Sequence, residues 1–233
     1  MRGLVGFLVF AGILIGVLVF AAGPLVVRPL AVEAVRAMIP GGDVVDVGVD
    51  VDGFDLLRGQ LGEVRVAGGS LGSDSISLRS YELRAYRVGL DGRTFATLTG
   101  ALEGVTVTLA DGSVLDVGHV ALSGSSTALQ ADVQLLPPAA EAIISAALAD
   151  AGLAVERVSL VEGGVEVELL GQRTIAPLAY RDGALLLPSI MGQGNIVVIE
   201  PPAGDAWAVT GLRTLPTGMD IAVTIDVGAL LGG

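Results

Sequence analysis

The sequence predicts an α+β protein: an N-terminal transmembrane helix followed by a curved, mainly antiparallel sheet wrapped around a long apolar helix. Three observations predict it. Residues Gly3 to Val27 form 25 consecutive positions without a charge. Apolar and polar residues alternate with period two along much of the remaining chain. One helix-like segment, Pro137 to Ala151, is apolar around nearly its whole girth, with only Glu141 and Asp150 charged.

The uncharged N-terminal run is flanked by Arg2 and by Arg28-Pro29. At about 1.5 Å per helical residue it spans roughly 37 Å, more than the roughly 30 Å of bilayer hydrocarbon. A cleaved signal core is usually about 7–15 residues long and precedes a small-residue site. Val19-Phe20-Ala21 and Ala21-Ala22-Gly23 would serve as such sites, but the apolar run continues past both. The spanning length favours a retained single-pass anchor. Arg2 and the amino terminus on one flank nearly balance Arg28 and Arg36 on the other, so charge barely orients it. An amino-terminal export segment before a long domain normally leaves that domain outside the cytoplasm. Residues 1–28 therefore read as membrane anchor or signal segment, and 29–233 as an extracytoplasmic α+β domain.

Pro29 to Ile39 has the pattern of a short helix, with Pro in its first turn, apolar Leu30, Val35 and Ile39, and a Pro40-Gly41-Gly42 stop. Strict alternation follows at Val45, Val47, Val49 and Val51. It returns at Val105–Leu109, Val165–Leu169 and Ile221–Val227. Turn signals separate these runs: Asp91-Gly92, Asp111-Gly112, Gly163-Gly164 and Asp182-Gly183. An antiparallel sheet with one apolar face satisfies this pattern. The Pro137–Ala151 helix starts on two prolines and meets Gly152 at its C-cap. Apolar on all sides, it is expected to be buried on more than one.

Composition limits the chemistry. The chain has 25 acidic residues against 13 cationic ones, all Arg, for a net charge of −12. An acidic domain repels phosphate backbones, so nucleic acid is excluded as a partner. Without Lys there is neither a P-loop nor Schiff-base chemistry. Without Cys there is no disulfide, thiolate metal site or thiol nucleophile. Gly68-Gly69-Ser70-Leu71-Gly72 matches the nucleophile-elbow pattern, but that motif needs a strand turning into a helix, and the residues after it look like loop or strand. His119, the only histidine, lies between strand-like residues without a partner histidine for a metal. Asp43, Asp46, Asp50, Asp52 and Asp55 lack the spacing and terminal Glu of a calcium loop and read as a solvated strand face. No catalytic residue, metal site or cofactor is expected.

Several segments together resemble the LmeA-like family of bacterial phospholipid-binding envelope proteins. Gly53-Phe54-Asp55-Leu56-Leu57-Arg58-Gly59, followed by Glu63-Val64-Arg65-Val66, is similar to that family's turn after its first long strand. Arg213-Thr214-Leu215-Pro216-Thr217-Gly218-Met219 resembles its late turn before a closing strand, and the Pro137 helix sits where the family places a central helix. Asp55 departs from the family's Pro, and the chain ends soon after a strand expected to finish near Leu230. The resemblance implies a tubular lipid-binding (TULIP-like) fold with an apolar cavity for acyl chains, and membrane and phospholipid as partners. It makes the expected function that of a membrane-anchored, extracytoplasmic, non-enzymatic protein that holds or transfers phospholipid or lipid-linked envelope intermediates. The alternative is an envelope structural or assembly protein with no lipid cavity.

On that reading Phe54, Leu56 and Leu57 stand at a cavity mouth. Ile143, Ile144, Ala147 and Leu148, gathered on one helical stripe, line the cavity. Six arginines, Arg58, Arg65, Arg79, Arg84, Arg87 and Arg93, fall within a short and locally basic window. Guanidinium binds phosphate bidentately, which makes Arg58, Arg65, Arg84 and Arg87 candidates for headgroup contact; the plainer reading is a solvated face with local ion pairs.

Overall fold

The computed structural model describes residues 45–50, 58–72, 76–89, 94–108, 114–188, 194–200 and 206–232. In chain order the elements are β1 (Val45–Val49), β2 (Gln60–Gly68), β3 (Leu71–Gly72), β4 (Ile76–Leu78), β5 (Ser80–Gly89), β6 (Thr97–Thr108), β7 (Val114–Ser125) and β8 (Ala128–Leu135). Helix α1 (Pro137–Asp150) follows, then β9 (Arg157–Val161), β10 (Gly164–Leu169), β11 (Gln172–Pro177), β12 (Ala179–Arg181), β13 (Ala184–Leu187) and β14 (Ile196–Ile199). The chain closes with β15 (Trp207–Leu215), β16 (Gly218–Ile225) and a short helix α2 (Val227–Gly232).

The main sheet runs β1-β2-β5-β6-β7-β8-β16-β15, antiparallel throughout, with β3 and β4 attached at the side of β6. Two three-stranded sheets, β11-β10-β9 and β12-β13-β14, make up the rest. Alternation decides which side of each strand is inside. In β8, for example, Leu129, Ala131, Val133 and Leu135 are buried, while Ala128, Gln130, Asp132 and Gln134 are exposed. The inner face packs on α1, which touches β7 and β16 on one side and β9 and β14 on the other. Val105, Val107, Val165, Val167, Ile221 and Val223 all lie in this core. The edge of β15 is covered by two turns: its Val209 N–H donates to the Gly183 carbonyl, and its Thr214 carbonyl accepts from Gly163 N–H.

The fold class differs from the expected one. The described chain is mainly β, and α1 is a helix of 14 residues, about 21 Å long, not a long axle inside a wrapped sheet. Its sequence misleads because alanine is apolar yet tolerated in water. Ala139, Ala140, Ile144, Ala147 and Leu148 are buried, while Ala142, Ala146 and Ala149 are exposed. Low amphipathic contrast here reflects an Ala-rich outer side, not burial all round. The tubular wrapped-sheet arrangement implied by the family resemblance is therefore not the one observed.

Among the described residues no helix is long and apolar enough to cross a membrane. The expected anchor Gly3–Val27 and the helix expected over Pro29–Ile39 lie outside the described residues. The transmembrane helix, the signal anchor and the cell-membrane location expected from the sequence thus find no support among the described residues. At the other end, the strand expected through Val227 stops at Ile225. Asp226 Oδ1 accepts a hydrogen bond from Ala229 N–H at 3.0 Å, the N-cap interaction that starts α2.

One inner-face residue carries an uncompensated cost. Tyr81 is 4% exposed, and its ring lies over Gly68, its cross-strand neighbour, leaving no room for a side chain there. Among the described residues its buried hydroxyl has no hydrogen-bond partner, and burial pushes its pKa above the usual 10.0. Tyr81→Phe should therefore stabilise the protein by about 1 kcal/mol, a rise in Tm of about 2–4 °C for a domain of this size. The sign at high pH follows. The unfolded tyrosine ionises first, so wild-type stability falls as pH rises through 10 and beyond, and the variant loses that part of the fall. Calorimetry of both proteins at neutral and alkaline pH checks this; a Tm lowered by the substitution would show that the hydroxyl is satisfied.

Candidate functional site

The residues expected to line a lipid cavity are packed instead. Ile144 and Leu148 are fully buried, Ala147 nearly so, and Ile143 packs against the same core from its margin. Ala147 also borders an open depression of about 350 Å3 between the end of α1 and the start of β14. Phe54, Leu56 and Leu57 lie outside the described residues.

The arginine candidates do not form one patch. Arg65 and Arg84 are direct cross-strand neighbours on the outer face of β2 and β5. Each is already held by an acid two residues away on its own strand: Arg65 by Glu63 at 3.2 Å and Arg84 by Glu82 at 2.6 Å. The hydrogen bond that Arg84 donates to the Glu82 carboxylate pushes the Arg84 pKa up. Arg58 sits exposed in the turn before β2. Arg87 has φ of 51°, a left-handed conformation that breaks the alternation of β5 and leaves both Tyr86 and Arg87 exposed. Arg93 lies outside the described residues.

The structure assembles a different constellation, on the outer face of the main sheet. Glu103 of β6 stands opposite His119 of β7, His119 opposite Gln134 of β8, Gln134 opposite Asp220 of β16, and Asp220 opposite Arg213 of β15. This polar row exists because two strands carry an extra residue at the same level. Leu102 and Val105 are both buried with Glu103-Gly104 between them; Val117 and Val120 are both buried with Gly118-His119 between them. Gly104 takes φ of 59°, and the β7–β8 register shifts between Val117 and His119. Such bulges reset which side a strand presents, and glycine supplies the backbone freedom they need. His119 Nδ1 lies 2.7 Å from Glu103 Oε1.

Beside this row runs a row of small residues interrupted by one carboxylate: Ala121 opposite Asp132, Asp132 opposite Ala222, and Ala222 opposite Gly211. The height difference makes an open trough of about 330 Å3, bordered by His119, Asp132, Gln134, Arg213, Asp220 and Ala222. Asp132 accepts a hydrogen bond from Gln130 Nε2 at 3.3 Å. Sequence reading missed this site. Its one visible signal was a pair of buried apolar residues separated by two positions instead of one, each time across a glycine, at Leu102–Val105 and Val117–Val120.

The surroundings of His119 are those of a polar surface. Its Nδ1 partner is Glu103, and Ser70 lies in the connection between β2 and β3. The segment after Ser70 continues as strand β3, so the Gly68–Gly72 motif does not lead from strand to helix. Among the described residues no group of three or more His, Asp or Glu side chains is placed to hold a metal ion. No protein-family model matches this chain, and no curated protein or solved structure matches it.

Proposed function

We propose that this chain is a non-catalytic binding or assembly protein that meets its partner on the outer surface of its sheets. The observation that carries this reading is the packing of α1. Ile144 and Leu148, which an acyl-chain cavity would need as lining, have no exposed surface, and the helix that carries them touches β7, β9, β14 and β16. An acyl chain contributes about 0.8 kcal/mol per buried methylene only where a dry apolar space admits it. Among the described residues nearly all polar and charged side chains stand outside the core, and those of the Glu103–Arg213 row are among them.

Titration of the purified full-length protein with a fluorescent phospholipid, together with mass spectrometry of its organic extract, separates this reading from a lipid carrier. The expected result is no saturable binding and no lipid at one copy per chain. Saturable binding that unlabelled phospholipid displaces, with matching lipid in the extract, would restore the lipid-holding function and overturn the surface-binding one.

A further inference from the structure

We propose that a notch at the edge of β15 binds a small α-amino acid as its zwitterion, the carboxylate held by Thr214 and Arg213 and the ammonium by Glu162. The inference goes beyond the surface-binding reading above, since it assigns a small molecule to a separate place on the protein. Three observations carry it. First, the notch meets a buried hydroxyl in need of a partner. It is an open space of about 290 Å3, bordered by Glu162, Gly163, Leu178, Arg213, Thr214 and Leu215. Thr214 is 4% exposed, and among the described residues its hydroxyl makes no hydrogen bond. That hydroxyl is nevertheless not sealed off. The Tyr81 hydroxyl is the one side-chain polar atom both sealed and unpartnered among the described residues. The Thr214 hydroxyl thus opens onto the notch, and a hydroxyl so enclosed is normally paired.

Second, the fold brings two opposite charges to the rim. The Gly163 N–H donates to the Thr214 carbonyl at 3.1 Å. Glu162 and Arg213 immediately precede those two residues, so they flank this crossing, Glu162 on the β9–β10 turn and Arg213 on β15. Thr214 is opposite the fully buried Met219, and Arg213 is opposite Asp220 on the outer face. Side chains that leave a strand on opposite faces share one ligand only at an edge, and β15 is the edge of the main sheet. Among the described residues Arg213 and Glu162 form no ion pair, either with each other or with another group. Other charged side chains share that state; the buried hydroxyl beside these two is what sets the place apart.

Third, size and charge select the ligand. The notch is at the lower end of small-molecule sites, which run to roughly 300–1,000 Å3, so the ligand is small. A purely anionic ligand meets Glu162 in a chain of net charge −12, and a purely cationic one meets Arg213. An α-amino acid carries both charges on one carbon. Its carboxylate accepts from the Thr214 hydroxyl and from two parallel N–H groups of the Arg213 guanidinium, while its ammonium donates to the Glu162 carboxylate. Leu178 and Leu215 border the same space and offer apolar contact to a short side chain, so an alanine-sized amino acid fits before a large one.

The test is an amide NMR titration of the full-length protein with L-alanine, with acetate and with ethylammonium. The expected result is saturable shifts centred on Glu162, Gly163, Arg213 and Thr214 with L-alanine, weaker ones at the same residues with acetate, and none with ethylammonium. Thr214→Val, which keeps the shape and removes the hydroxyl, should weaken L-alanine binding by about tenfold. Arg213→Gln, at an exposed position, should do the same, and it keeps the test decisive if Thr214→Val fails to fold. Glu162→Gln should remove the preference for L-alanine over acetate. Arg173→Gln, outside the notch, should change nothing. No saturable shift with L-alanine would show that the Thr214 hydroxyl meets water alone and would overturn the site. Acetate binding as tightly as L-alanine to the wild-type protein would make the notch an anion site and overturn the amino-acid assignment. Neither outcome bears on the lipid titration, so the notch and the surface-binding reading fail separately.

Discussion

Ile144→Asp should abolish the cooperative fold at room temperature. Ile144 has no exposed surface, and it lies on the α1 stripe that touches β7, β9, β14 and β16. Losing a buried branched aliphatic side chain costs about 2–5 kcal/mol. Leaving a carboxylate there without a partner adds about 3–5 kcal/mol, the cost measured when a buried charge loses its counter-ion. Together these come to about 5–10 kcal/mol, comparable to the roughly 5–15 kcal/mol that holds a typical domain folded. Trp207, the sole tryptophan, reports the outcome: it is 2% exposed, so its emission should shift to the red in the variant. Ala146→Asp, on the exposed side of the same helix, is the control. It should cost only the difference in helix propensity, about 0.7 kcal/mol. A variant Ile144→Asp that melts like wild type would mean that α1 is not seated in the core.

That contrast also explains what the sequence could disclose about α1. Its start on Pro137 and Pro138, its end before Gly152 and its buried stripe follow from local rules, and the structure has them. Its surroundings do not. Whether a sheet wraps an Ala-rich helix or leaves one side in water depends on strands far away in sequence. Helix length and composition were compatible with both, and the exposed Ala142, Ala146 and Ala149 decided it. The short turn motifs behind the family resemblance carry the same ambiguity, since a two-residue turn such as Pro216-Thr217 can join strands in many folds.

Strand identity was legible for the same local reason. The runs expected at Val45–Val51, Val105–Leu109, Val165–Leu169 and Ile221–Val227 are strand over Val45–Val49, Val105–Thr108, Val165–Leu169 and Ile221–Ile225; Val51 and Leu109 lie outside the described residues, and Val227 begins α2. Neighbour relations were not. β16 pairs with β8 across the whole α1–β15 interval, and that pairing creates the trough by bringing Asp220 beside Gln134. The Glu103–His119 pair was hidden for a second reason. A strict period-two reading assigns residues on either side of a bulge to opposite faces, so Glu103 and His119 could not be placed on one surface without knowing that both strands bend together. Arg65 and Arg84 show the converse. Their presence on one face was readable, but not that Glu63 and Glu82 had already claimed them.

Gly124→Ala should destabilise the protein by about 2–6 kcal/mol, summing the strain of an unfavourable backbone conformation and of overpacking. Gly124 lies near the end of β7, opposite Leu129, where the Ser126-Thr127 turn leads into β8. Its φ of 133° is one that a residue with a Cβ rarely adopts. A Cβ there would also fall against the carbonyl oxygen of Ala128, closer than van der Waals contact permits, and near the Leu129 Cα at 3.1 Å. Both obstacles are backbone, so no rotamer change relieves them. The hairpin must open, and Leu129 on its far side is fully buried, so opening the hairpin also disturbs the core. Gly48→Ala supplies the comparison. The added Cβ would meet only Arg65 Cβ at an ordinary 3.8 Å, and no positive φ stands in the way. With less chain entropy to lose on folding, it should be neutral or stabilising by about 0.4–1 kcal/mol. Chemical denaturation of the two variants beside wild type measures both. Equal midpoints for Gly124→Ala and Gly48→Ala would show that the β7–β8 hairpin does not hold the tight geometry on which the Gly124 argument depends.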